Sequence, residues 1–177
     1  PLTGGIKEAN AGGTAGHKLA RLGVAAVVIE GKPLQDKLYI LKLSSQGAEL
    51  LPADELKGLG NYELVKRLRE KFGEDISCIS CGPAGEMLMS AASVGVTDRE
   101  GRPTRHAGRG GLGAVMGSKK LKAIVVDDAG TQAIAPSNKE AFNSAVKILT
   151  RALGEHEATG TNLPMYGTNV CANIINE

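Results

Sequence analysis

Thr104 to Val126, reading TRHAGRGGLGAVMGSKKLKAIVV, sets five glycines among five cations and then runs into an apolar, β-branched segment. The glycines are Gly108, Gly110, Gly111, Gly113 and Gly117, and the cations are Arg105, Arg109, Lys119, Lys120 and Lys122. Glycine reaches positive φ and lets a ligand lie against bare backbone N–H groups. Arginine adds a planar fork that suits phosphate oxygens. The stretch is therefore expected to be a loop for a phosphorylated cofactor, the alternative being a tight turn that merely needs glycines, followed by a strand over 121–126. Gly108-x-Gly110-x-x-Gly113 matches the dinucleotide fingerprint, which needs a strand before it and a helix after it. A polar run, Thr97 to His106, precedes it and an apparent strand follows, so that fingerprint is set aside. The order Gly117-Ser118-Lys119 is not the Gly-Lys-Ser/Thr of a P-loop either.

AGRGGLGAVMGSKKLKAIVV resembles the signature of the aldehyde ferredoxin oxidoreductase family, which are tungsten- or molybdenum-pterin enzymes. PLTGGIKEANAGG at the N-terminal end, VVIEGK at 27–32, GPAGE at 82–86 and YGTNVCANIINE at the C-terminal end resemble family segments in the same order. Family members are considerably longer, so the chain, which starts without methionine, reads as an internal portion of a larger protein. The resemblance implies an α+β fold, one β(3)-α-β(3) half of a duplicated N-terminal domain, followed by the start of an all-α domain. Residues 1–130 would be the cofactor-binding domain and 131–177 the start of the helical one.

The implied activity is oxidation of an aldehyde to a carboxylate at a bis-pterin tungsten (tungstopterin) or molybdenum (molybdopterin) centre in an oxygen-sensitive enzyme. Electrons would pass through a [4Fe–4S] cluster, whose ligands lie outside this chain, to ferredoxin or another iron–sulfur carrier. By the same resemblance Asn10, Gly12, Arg105, His106, Gly108 and Arg109 bind the cofactor. Arg105 and Arg109 hold its phosphates, while the backbone carbonyls of Asn10 and His106 reach a magnesium ion bridging them. No catalytic residue is expected in this segment. A homodimer is compatible with the resemblance, as are two other functions: a non-catalytic phosphate-binding scaffold, and a subunit of a benzoyl-CoA type aromatic-ring reductase.

Composition agrees with a packed domain. With 177 residues, 42% of them apolar, one core can form. A net charge of +2 without a long basic block does not point to nucleic acid. No run of about 18 apolar residues suggests a bilayer span, and a cytoplasmic, soluble chain is expected.

Along the chain, Pro1 to Gly23 is a glycine-rich stretch entering a short helix, His17 to Leu22. Strands are expected at Val24–Glu30, Lys37–Leu43 and Ala48–Leu51. A helix over Asn61–Phe72 has Leu64, Val65, Leu68 and Phe72 on one face, with Gly73 as its stop. Further strands are expected at Ile76–Cys81 and Met87–Val94, on either side of the Gly82-Pro83-Ala84-Gly85 turn. Ser137 and Glu140 form a capping box before a helix whose stripe runs from Ala141 to Leu153. Cys78-x-x-Cys81 lies in a strand, where residues three apart point to opposite faces, so buried packing is expected rather than a metal or redox pair. Glu86 is expected to pair with a loop arginine. The three lysines 119, 120 and 122 are expected to form a solvated face with weak attraction for an acidic ferredoxin.

Overall fold

The computed structural model describes residues 6–176. The chain divides into two compact units, Pro1–Ala133 and Ile134–Glu177.

The first unit is built on one mixed six-stranded sheet. Its elements are α1 (Ala15–Arg21), β1 (Tyr39–Ser44), β2 (Gly47–Pro52), α2 (Asn61–Phe72), β3 (Ser77–Ser80), α3 (Pro83–Glu86), β4 (Val94–Val96), β5 (Arg105–Ala107), α4 (Leu112–Ser118) and β6 (Leu121–Val126). The strand order is β2-β1-β6-β3-β4-β5. Only β1 and β6 run parallel, and every other pair is antiparallel.

Each face of the sheet has its own core. Leu64, Val65 and Leu68 of α2 are buried with Ile40, Cys78, Ala123 and Val125, and Phe72 packs at the margin. Each such side chain contributes about 1.5–3 kcal/mol of burial. Gly73 closes α2 at φ 108°, a left-handed conformation that glycine adopts without a steric penalty. On the opposite face Met116 of α4 is buried with Cys81, Val94, Ala107 and Leu121. Cys78 and Cys81 thus enter different cores, as the period of a strand requires.

Two of the six expected strands differ. Val24–Glu30 forms no strand: Ile29 packs on the second core, but Val28 is exposed and the backbone joins no ladder. Apolar β-branched residues favour an extended chain, yet a strand also needs backbone pairing, and this segment meets the sheet through the Ile29 side chain on a core face rather than through its backbone at an edge. Met87–Val94 is not a strand either. Pro83 opens the short helix α3, Leu88 sits at φ 57°, and Met87 to Met89 are exposed; only Val94–Val96 pairs, as β4. The sixth strand of the sheet is instead β5, inside the run expected to be polar loop.

A hydroxyl network fastens α1 to the sheet. Thr14 Oγ1 donates to Ser77 Oγ at 2.9 Å, Ser77 Oγ and Thr97 Oγ1 are 2.9 Å apart, and the amide of Cys78 donates to Thr97 Oγ1 at 3.0 Å. Buried Lys18 donates to Asp128, and Arg21 Nη1 donates to Asp128 Oδ2 at 2.9 Å. Burial pushes the Asp128 carboxyl up, but the hydrogen bonds from Lys18 and Arg21 outweigh it and hold it below the usual carboxylate range.

The second unit holds α5 (Lys139–Glu155), a π-helical turn (Glu157–Asn162), α6 (Leu163–Tyr166), a 3₁₀ segment (Gly167–Cys171) and α7 (Ala172–Ile175). The cap of α5 is Asn138 rather than Ser137: its Oδ1 accepts from the Ala141 amide at 2.9 Å. Asparagine caps as well as serine and stands one residue nearer the helix. The apolar stripe of α5, including Phe142, Val146 and Leu149, is exposed. No described helix is long and apolar enough to cross a membrane.

Candidate phosphate-binding site

Strand β5 carries Arg105 and His106 at the sheet edge and ends in the loop Gly108–Gly111, from which α4 departs. A strand therefore precedes the glycines and a helix follows them, contrary to the expectation on which the dinucleotide fingerprint was set aside. The crossover it requires is still missing, because α4 leads to β6, three places along the sheet and antiparallel to β5.

The five glycines have two separate tasks. A Cβ on Gly117 would lie 1.9 Å from the Gly85 carbonyl oxygen, and one on Gly113 would lie 2.4 Å from that of Ser93. These two are packing glycines, letting α4 press its backbone against α3 and the following turn. Gly111 caps α4 at φ 65°, against the Ser90 carbonyl. Gly108 has open space where its Cβ would stand. Gly110, at φ 77°, lies under the aliphatic stem of Lys7. Only the first part of the run, Gly108 to Gly111, is thus a surface loop.

The segment from Ile6 to Thr14 has no regular secondary structure before its turn into α1, and it runs alongside this loop. Gly13, at φ 109°, sits where a Cβ would meet the Thr97 carbonyl at 2.4 Å, and the Thr14 amide donates to that same carbonyl at 3.0 Å. A Cβ on Gly12 would lie 3.8 Å from Arg105 Cδ. Arg109 donates from Nη2 to Glu8 Oε1 at 2.7 Å and from Nε to the Glu8 carbonyl at 3.2 Å. The structure thereby brings Glu8 to Arg109 and Gly12 to Arg105, across about a hundred residues of sequence, with Asn10 between Glu8 and Gly12 in the same segment. His106, in the same strand, turns its ring to Ser93, with Nδ1 3.0 Å from Oγ.

Among the described residues, the amides of 108–112 and of 11–13 donate to no protein acceptor. Two exposed guanidinium groups stand beside them. The Arg105 side chain makes no hydrogen bond among the described residues, and Arg109 uses two of its five donors on Glu8. Free amides, guanidinium groups and open space over Gly108 form a donor set for phosphate oxygens. A bis-pterin cofactor with phosphate tails fits that set. Cys78 and Cys81 lie buried away from it, and burial pushes their thiols up to about 12 and about 11.

Other assignments change. Lys122 is fully buried, not solvated: its Nζ donates to Glu86 and, at 2.9 Å, to the Leu59 carbonyl. It emerges from β6 under the loop before α2, where solvent is excluded, and only a carboxylate could hold it there. Glu86 accordingly partners Lys122 rather than an arginine, and it also accepts from the Gly58 amide at 2.9 Å. Lys120 pairs with Asp36, and Lys119 donates to the Gly31 carbonyl at 3.2 Å. Sequence reasoning also missed Glu8 and Asp98. Asp98 shapes the turn between β4 and β5, taking the Thr104 hydroxyl at 2.6 Å and the amides of Glu100 and Arg102 at 3.0 and 2.9 Å. The Thr104 hydrogen bond foremost, then those amides, keeps its carboxyl below the usual range. An aspartate in Asp-x-x-Gly turn chemistry was the legible signal for it.

A family model described as the aldehyde ferredoxin oxidoreductase N-terminal domain matches residues 1–128. The tungsten-containing aldehyde ferredoxin oxidoreductase of Pyrococcus furiosus is 40% identical over 100% of this chain and 28% of its own length. The protein of the same description from Pyrococcus abyssi is 39% identical over the same shares. The chain spans little more than a quarter of these relatives. Among solved structures, the active-site complex BamBC of benzoyl coenzyme A reductase with 1,5-dienoyl-CoA matches with a TM-score of 0.74 at 26% identity, over 85% of this chain and 22% of that one.

Proposed function

Because the chain belongs to the aldehyde ferredoxin oxidoreductase family, we propose that residues 10–13 and 105–112 cradle the phosphate tails of a bis-pterin tungsten or molybdenum cofactor. The observation that carries this is the run of amides that have no acceptor among the described residues, flanked by Arg105 and Arg109. Arg105 and Arg109 would neutralise phosphate charge, the amides of 108–112 would donate to its oxygens, and Gly12 and Gly108 leave room for its approach. The carbonyls of Asn10 and His106 would face a magnesium ion between the phosphates. When bound, the group supplies the metal at which an aldehyde is oxidised by two electrons to a carboxylate. This chain's part is to bind and orient. Electrons would leave through a [4Fe–4S] cluster held outside this chain to ferredoxin or another iron–sulfur carrier. Residues 1–130 would form the cofactor-binding domain and 131–177 the start of a helical one.

The test is the metal and pterin content of the intact gene product, purified without oxygen. About one tungsten or molybdenum and two pterins per chain is the expected result. Arg109→Ala should weaken cofactor retention by roughly 10- to 100-fold, since a charge-assisted hydrogen bond is worth about 1.5–3 kcal/mol. Unchanged metal and pterin in that variant would remove Arg109 from the site. A second reading, a subunit of an aromatic-ring reductase, is favoured by the shared fold with BamBC. It ranks behind because identity to the aldehyde oxidoreductases is higher. Co-purification with a subunit bearing additional iron–sulfur or flavin groups would promote it.

A further inference from the structure

We propose that Glu8 is a positioning residue: its ion pair with Arg109 latches the segment 6–14 onto the glycine loop and so holds the two halves of the proposed cradle together. The inference rests on the cradle reading for its consequence but not for its geometry. At the far end, the segment is fixed by half-buried Thr14 bonding to the buried hydroxyl of Ser77, which in turn meets that of Thr97, and by the close seat of Gly13. Between Ile6 and Gly13 no backbone amide donates to a backbone acceptor among the described residues, so no ladder or helix secures the near end. What secures it is Arg109, bound to both the side chain and the main chain of Glu8, with the stem of Lys7 lying over Gly110. Glu8 stands two residues before Asn10 and four before Gly12, so slack at Glu8 is slack in the cradle.

The proposal makes a prediction opposite to that of simple electrostatics. A carboxylate next to a phosphate site should repel the ligand, and its neutralisation should tighten binding. A latch requires the reverse.

The experiment uses the intact gene product, purified without oxygen, as wild type, Glu8→Gln, Arg109→Gln and the reversed pair Glu8→Arg with Arg109→Glu. Two quantities are read: the rate at which a broad-specificity protease cleaves within residues 7–12, mapped by mass spectrometry, and the pterin retained after dialysis. Cleavage should accelerate about two- to fivefold in each single variant, the range for an exposed ion pair. It should return part of the way in the reversed pair, where the side-chain ion pair is restored but position 109 no longer donates to the carbonyl of residue 8. Pterin retention should fall in Glu8→Gln and stay low in the reversed pair, where a carboxylate at position 109 would face phosphate. Cleavage unchanged in Glu8→Gln overturns the latch, as does accelerated cleavage with pterin retention unchanged or raised. Absence of pterin from the wild-type protein would instead refute the cradle, and the cleavage rates alone would then decide whether the latch exists.

Discussion

Glu86→Ala should be among the costliest single changes to the first unit. Lys122 is fully buried, and the Glu86 side chain is 11% exposed. Truncation at 86 leaves the ammonium with one neutral partner, the Leu59 carbonyl, and strips the Gly58 amide of its acceptor. Breaking a buried pair from one side costs about 3–5 kcal/mol. The exposed pair Glu63–Arg67, at 3.0 Å and one helical turn apart, provides the scale: Glu63→Ala should cost only about 0.3–0.5 kcal/mol. Lys122→Met with Glu86→Gln should recover most of the loss, because no buried charge remains and the amide oxygen introduced at position 86 still accepts from Gly58.

The assay follows thiol labelling of Cys78 and Cys81 against urea in the intact protein. Both cysteines are buried in the cores of this unit, so their labelling reports its unfolding and not that of other domains. A cost below about 1 kcal/mol for Glu86→Ala, or a double variant no better than the single one, would mean that Lys122 is not a charge held in a dry interior by Glu86.

Gly117→Ala should destabilise the unit by about 1–3 kcal/mol or more, because its methyl group would overlap the Gly85 carbonyl. Gly108→Ala should change the melting temperature little and yet reduce pterin retention, since the new methyl meets nothing in the protein but stands in the proposed cradle; thermal melts and pterin assays on both variants check this. Asp98 titrates below its unfolded value, so its contribution is present above a pH of about 3.9 and is lost as pH falls through the lowered native value. Urea midpoints of wild type and Asp98→Asn should therefore differ at neutral pH and converge in acid. Cys78 and Cys81, with thiols at about 12 and 11, should resist iodoacetamide at pH 8 until the protein unfolds, as peptide-mapped labelling would show.

Helix α2 and strand β6 were legible because each is a local decision. The face formed by Leu64, Val65, Leu68 and Phe72 ends at a glycine that needs positive φ, and LKAIVV is long, apolar and β-branched. Val24–Glu30 and Met87–Val94 misled for different reasons: the α3 turn and the positive φ of Leu88 break the second before Val94, whereas the first supplies a core contact through Ile29 without backbone pairing. Apolar content states that a segment can touch a core, but not that its backbone pairs with a strand. Chain topology decides that, and it is invisible in a window of ten residues. β5 escaped notice for the converse reason: Arg105 and His106 are exposed at an edge, so a strand there carries no apolar alternation.

In the site, charge was legible and location was not. Arginines among glycines pointed to an anion, and the amides of 108–112, which have no acceptor among the described residues, support that reading. The same stretch concealed that Gly113 and Gly117 serve helix packing: glycine has one letter for two unrelated needs, open space above the backbone and none at all. Gly108 and Gly117 are those two extremes, one with nothing near its Cβ position and the other with a carbonyl oxygen at 1.9 Å. Lysine was ambiguous in the same way, since Lys122 follows Lys119 and Lys120 in a run that looks uniformly solvated. Strand membership was the signal available: of the three lysines only Lys122 lies inside β6, and a strand with both faces covered buries the residues it contains. A buried lysine demands a carboxylate, and GPAGE supplied one. Pairing Glu86 with Lys122 therefore needed only the recognition that 121–126 is a central strand, which the parallel contact with β1 and the antiparallel contact with β3 make it.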